Sequence, residues 1–207
     1  MRKVSPISYV LFPFSVIGMV IEELKKDCLR ALGVSFYEDG YSLIEARRYD
    51  GGLDGAILRA YDRMKAKGVI PELSVCLEDV EESGVVSYET RDLFDGDFTG
   101  AYRIDEGSGE VKEERVNCVK VGGTLTIMRN AADGVYLKYV PRLDLNSREF
   151  DMPDSLSRLI PYFVKSELLD DEDYPRAAAA RNLFEQSLDE YVSFDAGGAV
   201  KAKYKYQ

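Results

Sequence analysis

Residues 156–191 read LSRLIPYFVKSELLDDEDYPRAAAARNLFEQSLDEY, and the fold turns on how they pair. Leu156, Leu159, Ile160, Phe163, Val164 and Leu168 recur every three or four positions, the spacing of one helix face. Pro153-Asp154-Ser155 stands just before them, so Asp154 or Ser155 is placed to cap the free amides of that helix. Pro161 lies inside the stripe and removes a backbone donor, which predicts a bend. After the acidic run Asp170, Asp171, Glu172 and Asp173, a second helix is predicted over residues 175–192, burying Ala180, Leu183, Phe184, Leu188 and Tyr191. The core of this closing hairpin is read as Leu159, Phe163, Leu183 and Phe184.

The same periodicity appears near the other end of the chain. Ile17, Ile21, Leu24, Cys28 and Ala31 predict a helix over residues 17–32 that Gly33 stops. Leu53, Ile57, Ala60, Tyr61 and Met64 predict a second over residues 53–67, with Lys65 and Lys67 favourable at its C-terminus and Gly68 and Pro71 ending the segment. Between the helix pairs the period changes to two. Leu73, Val75 and Leu77 alternate with polar residues, as do Val135, Leu137 and Tyr139. Residues 117–121 and 124–128 flank Gly122-Gly123, which reads as a two-residue hairpin, and Asp133-Gly134 offers another turn.

The expected architecture is therefore α+β: a four-helix bundle from the N- and C-terminal parts with an inserted, mainly antiparallel β subdomain. Its expected parts are an N-terminal arm and first helix pair (1–71), the β subdomain (72–150), the closing helix pair (151–194) and an extended tail (195–207).

Histidine is absent from all 207 residues. That excludes Ser-His and Cys-His nucleophile pairs, and removes the commonest general base near neutral pH and the commonest transition-metal ligand. Cys28, Cys76 and Cys118 are widely spaced and odd in number, so neither a disulfide framework nor a zinc site follows. The carboxylate clusters Glu78, Asp79, Glu81, Glu82 and Asp170 to Asp173 are the best candidates for chemistry, as metal ligands in a carboxylate-dependent hydrolase. The second lacks the alternation and glycine of a calcium loop, and negative charge before a helix has a simpler cause in the helix dipole. Gly107-Ser108-Gly109 reads as a turn tip rather than a phosphate cradle. No metal or other cofactor is expected.

Lys and Arg total 27 against 37 Asp and Glu, a formal net charge of -10, which argues against a nucleic-acid groove over the whole molecule. The apolar stretch at residues 9–21 is broken by Pro13, Ser15 and Gly18 and is too short to span a bilayer, so no membrane partner is expected and synthesis is expected to be intracellular. The 14 tyrosines fit an interface or strand and core positions equally well.

Two segments carry a resemblance. Residues 156–191, with an L-x-P-x-Y-like centre, a small acidic turn and an alanine-rich helix containing Arg181-Asn182, resemble the closing hairpin of the head-to-tail adaptor proteins of tailed bacteriophages. Residues 53–71, LDGAILRAYDRMKAKGVIP, are similar to that family's second helix and its proline-terminated exit. TRDLFDGDFTGAYRIDEGSGEV and GGTLTIMRNAADGVYLKYVPRL are similar to strands found between them. The resemblance runs over about residues 20–192 and leaves residues 1–21 without a counterpart.

It implies a structural virion protein in the neck, made in the host cytoplasm and without enzymatic activity. It would form a homo-oligomeric ring of about twelve copies under the portal protein, carrying a stopper or tail protein and letting DNA pass through the lumen. A stopper or tail-completion protein is the neighbouring alternative. In the tail, Gly197-Gly198 reads as a hinge. Beyond it Val200, Ala202, Tyr204 and Tyr206 alternate with Lys201, Lys203 and Lys205, the pattern of a strand added to a partner, with the portal as the expected partner.

Overall fold

The computed structural model describes residues 19–37, 40–77, 85–105, 112–128 and 135–201. In chain order the first stretch gives β1 (Met19–Val20), α1 (Ile21–Ala31), β2 (Phe36–Tyr37), β3 (Gly40–Tyr41), α2 (Leu43–Ala46) and α3 (Leu53–Ala66). The middle gives β4 (Leu73–Cys76), β5 (Val85–Glu89), a 3-10 turn (Thr90–Asp92), β6 (Gly96–Asp105), β7 (Lys112–Val116), β8 (Cys118–Val121), β9 (Thr124–Met128) and β10 (Val135–Pro141). The last gives β11 (Glu149–Phe150), α4 (Asp154–Ser157), α5 (Ile160–Leu168) and α6 (Tyr174–Lys201). The chain forms two compact units: Pro71–Arg142 is a β unit, and the described residues up to Ile70 and from Leu143 onward form a helical one. The α+β class is as the periodicities require, with terminal helices packed as a bundle around an inserted antiparallel β subdomain.

In the helical unit α5 is the shared element, packing against α1, α3 and α6. It buries Ile160, Val164 and Ser166, and the Ser166 hydroxyl donates to the Phe163 carbonyl at 2.7 Å, so this buried polar group is satisfied. The faces turned inward are Ile21, Leu24 and Cys28 on α1, Ala56, Ile57, Ala60, Tyr61 and Met64 on α3, and Ala177, Ala180, Phe184 and Leu188 on α6. Phe163 and Phe184 meet edge to face with centroids 5.0 Å apart. Across the surface, Arg59, Arg63 and Lys67 form a row at helical spacing. They pair with Glu167 at 2.7 Å, Glu185 at 3.1 Å and Asp189 at 2.8 Å. Such exposed pairs contribute about 0–1 kcal/mol each, so they orient α3 more than they hold it.

The β unit has two antiparallel sheets, ordered β4-β10-β6-β7 and β5-β9-β8. Asn117 alone separates β7 from β8, so one run of chain passes from the first sheet into the second. Val75, Ala101, Val135 and Leu137 of one sheet and Leu125 and Ile127 of the other share a core with Leu77 and Phe94. A bulge sets Lys138 opposite Gly100 but Tyr139 opposite Phe98, leaving Thr99 as the extra residue. Phe98 thereby comes into phase with Tyr139, and both rings stack on Phe94, at 6.3 and 4.7 Å. The Gly122-Gly123 hairpin is as read, with Gly122 at φ 60°.

Several expectations need correction. The first helix starts at Ile21, because Met19 and Val20 pair with Phe150 and Glu149 as a two-stranded ribbon. Pro161 does not bend a continuous helix. The apolar stripe is split into α4 and α5, and Pro161 sits in the first turn of α5, where its missing donor costs nothing. The cap of α4 is Pro153 and makes no side-chain hydrogen bond, so neither Asp154 nor Ser155 caps it, and Asp154 lies in the first turn instead.

Leu183 is 50% exposed. The buried face of α6 runs through Ala177, Ala180, Phe184 and Leu188, and at about 100° per residue Leu183 falls on its flank. Of the other core residues, Leu159 and Phe184 are buried and Phe163 half-buried. The tail is not extended at Val200 and Lys201, because α6 continues through Gly197-Gly198 to Lys201. Propagating a formed helix gains a hydrogen bond per residue, which offsets about 1 kcal/mol lost at each glycine. Ala202, Lys203, Tyr204, Lys205 and Tyr206 lie outside the described residues, as do Ile17, Glu78 to Glu82, Gly107 to Gly109 and Asp133-Gly134.

The inward register of α6 is testable. Phe184→Ala is expected to lower unfolding free energy in denaturant by about 3–5 kcal/mol, and Leu183→Ala by less than about 1 kcal/mol.

Candidate functional site

Two kinds of surface stand out among the described residues: the acidic turn before α6, and a set of exposed apolar side chains. In the turn, Asp173 accepts a hydrogen bond from the Arg176 amide at 3.3 Å, and its carbonyl accepts from the Ala177 amide at 2.9 Å. It therefore caps α6. Glu172 receives the Arg48 guanidinium at 3.0 Å, and Asp170 receives Arg181 at 3.4 Å. The carboxylates of Asp170, Glu172 and Asp173 are thus each engaged by an arginine, Asp173 by Arg176 at 3.6 Å. Among the described residues no group of three or more Cys, Asp or Glu could hold a metal ion.

On the outer face of the four-stranded sheet, the Tyr102 and Tyr136 rings stack at 5.9 Å, with the Lys138 ammonium 4.7 Å from the Tyr102 centroid and 2.8 Å from Glu113. Burial alone would raise the Glu113 pKa, but hydrogen bonds from Lys138 and Tyr136 outweigh it and hold the carboxyl below its ordinary value. Burial, then the Glu113 carboxylate, push the Tyr136 phenol up. The cluster is internally satisfied and stabilises cross-strand pairing.

Cys28 is fully buried and its thiol is pushed up to about 12 by burial, with the Asp27 charge adding to the effect, so it stays protonated near neutral pH. Cys76 and Cys118 are half-buried, and none of the three forms a disulfide.

The exposed apolar residues fall in both units. Leu43 and Ile44 are 63% and 83% exposed and Tyr37 is 67% exposed, while Val119 and Val121 lie on the outer face of β8. Sequence reasoning missed the first group because residues 34–50 showed no long period. The available signal was Ser42-x-x-Glu45: the Ser42 hydroxyl accepts from the Glu45 amide at 3.4 Å, and the Glu45 carboxylate accepts from the Ser35 amide at 2.7 Å. That capping turn fixes Leu43 and Ile44 in the first turn of α2. Exposed aliphatic side chains of this kind suit docking rather than bond chemistry. Among the described residues no helix is long and apolar enough to cross a membrane.

Since arginines already engage Asp170, Glu172 and Asp173, calcium or magnesium titration followed by calorimetry is expected to show no saturation at one equivalent. Stoichiometric binding abolished by Asp171→Asn would contradict this account of the turn.

No protein-family model and no curated protein matches this chain.

Proposed function

We propose that this chain is a head-to-tail adaptor of a tailed bacteriophage, a structural protein that forms a ring of about twelve copies beneath the portal and carries a stopper or tail protein. The observation that supports this reading best is the order of structure along the chain. Helices before and after an inserted antiparallel β unit pack on one another through α5, and the closing hairpin is the segment whose sequence resembles that family. The charge of the chain suits the same role. At -10 per copy, a ring of about twelve would carry roughly -120, and a channel wall of that sign repels phosphate and lets DNA slide through. On this reading the protein belongs to the virion neck and acts as a scaffold rather than a catalyst.

The exposed Leu43 and Ile44, and the outer face of β8, are the surfaces best suited to neighbouring subunits or the stopper. Like-charged copies repel when free, so closure is expected to need the portal as template.

The test is reconstitution with the portal protein encoded in the same genome. Sedimentation should show a monomer or weak association for the isolated chain at physiological salt, and electron microscopy should show an added ring only on the portal. A stable closed ring without portal, or failure to associate with it, would contradict the proposal.

A further inference from the structure

The two exposed aliphatic surfaces carry opposite charge. On α2, Leu43 and Ile44 stand out into solvent, and Arg47 follows them by four and three positions, on the same side of the turn. The Glu45 carboxylate accepts from the Ser35 amide at 2.7 Å and the Ser42 hydroxyl accepts from the Glu45 amide, so the two aliphatic side chains form a fixed projection. Arg47 is exposed and has no ion-pair partner among the described residues.

The second surface is flat. In the register of β8, β9 and β5, Val121, Thr124 and Glu89 form one cross-strand row, and Val119, Thr126 and Ser87 form the next. Both rows face away from the core, because Leu125 and Ile127 alternate with the two threonines and are fully buried. Val119 and Val121 are exposed, and Lys120 alternates to the opposite face. The Ser87 and Thr126 hydroxyls satisfy each other at 3.0 Å. Glu89 accepts from the Thr124 hydroxyl at 3.0 Å, and among the described residues no cation pairs with it.

Each surface therefore combines exposed aliphatic carbon with one uncompensated charge, a cation on the first and an anion on the second. An apolar contact that covered either charge without an opposite one would be unfavourable. Two copies of the same surface would also oppose like charges. The other surface of the same chain supplies what each lacks, and both are exposed within a single copy, open to a neighbour. We propose that Leu43 and Ile44 of one copy dock on the outer face of β8 and β9 of a second copy, with Arg47 meeting Glu89. Because the two surfaces differ, the contact is head-to-tail and repeats from copy to copy, as a ring requires. It rests on the adaptor reading for the closure of that repeat, but the contact itself needs no portal, so the two fail separately.

Sedimentation of the full chain at low salt, followed up to about 1 mM because a contact this small is weak, should show concentration-dependent association beyond the dimer. Ile44→Ser and Val121→Ser should each weaken it about tenfold. Each of these variants keeps one intact surface, so a one-to-one mixture should form pairs but no longer assemblies. Arg47→Glu and Glu89→Arg should each weaken association, and the two together in one chain should restore it, which a folding defect would not do. Leu183→Ser, at an exposed aliphatic residue outside both surfaces, should leave it unchanged. A chain monomeric throughout, a mixture that forms no pairs, a double charge variant no better than either single one, or an equal loss in Leu183→Ser would overturn the proposal. Association of this kind in a chain that never joins the portal would leave the contact standing and overturn the adaptor reading.

Discussion

The helical unit depends on burying α5, a nine-residue helix too short to hold its shape alone in water. It is stable only when covered, and its cover comes from α1 and α3 on the near side of the β unit in sequence and from α6 on the far side. Burying each large apolar side chain is worth about 1.5–3 kcal/mol, so Ile160, Val164, Phe184 and Leu188 together outweigh every surface ion pair of the unit. Pro161 at its first turn adds a preset φ where a helix must begin directly after another has ended. Because those partners are far apart in sequence, the β unit can grow between them without interrupting the bundle.

Charge follows packing. The α3 row of Arg59, Arg63 and Lys67 meets carboxylates on α5 and α6, and the acidic turn meets Arg48 and Arg181, so the densest acidic run of the helical unit is largely compensated where it stands. Among the described residues, apolar exposure at Leu43, Ile44 and β8 offers surface for contact with other molecules. Those features suit a protein whose work is to be held and to hold, which is the sense of the adaptor proposal.

Much of this was legible where a period persisted. The stripe on α3, the alternation of Val135 and Leu137, and the Gly122-Gly123 turn read correctly because each is a local pattern with one physical meaning. The misreadings had non-local causes. Met19 and Val20 are strand only because Glu149 and Phe150 lie beside them, about 130 positions away. A stripe continuous in sequence concealed the break between α4 and α5, since Leu156, Leu159 and Ile160 are buried on either side of it. Leu183 looked as apolar as Phe184, and only the direction of the packing partner separates them. Gly197-Gly198 signalled a hinge by propensity, while a long helix already formed upstream carried the backbone through. The exposed Leu43-Ile44 pair was invisible to hydropathy, which assigns such residues to the interior.

Native-state hydrogen exchange tests most directly whether α5 is the shared support of the bundle. The account requires the amides of Val164 to Leu168 to be among the slowest in the helical unit and to exchange only with its global unfolding, in step with the buried turns of α1, α3 and α6. Exchange of α5 through a cheaper local opening, while α1 and α3 stay protected, would contradict it.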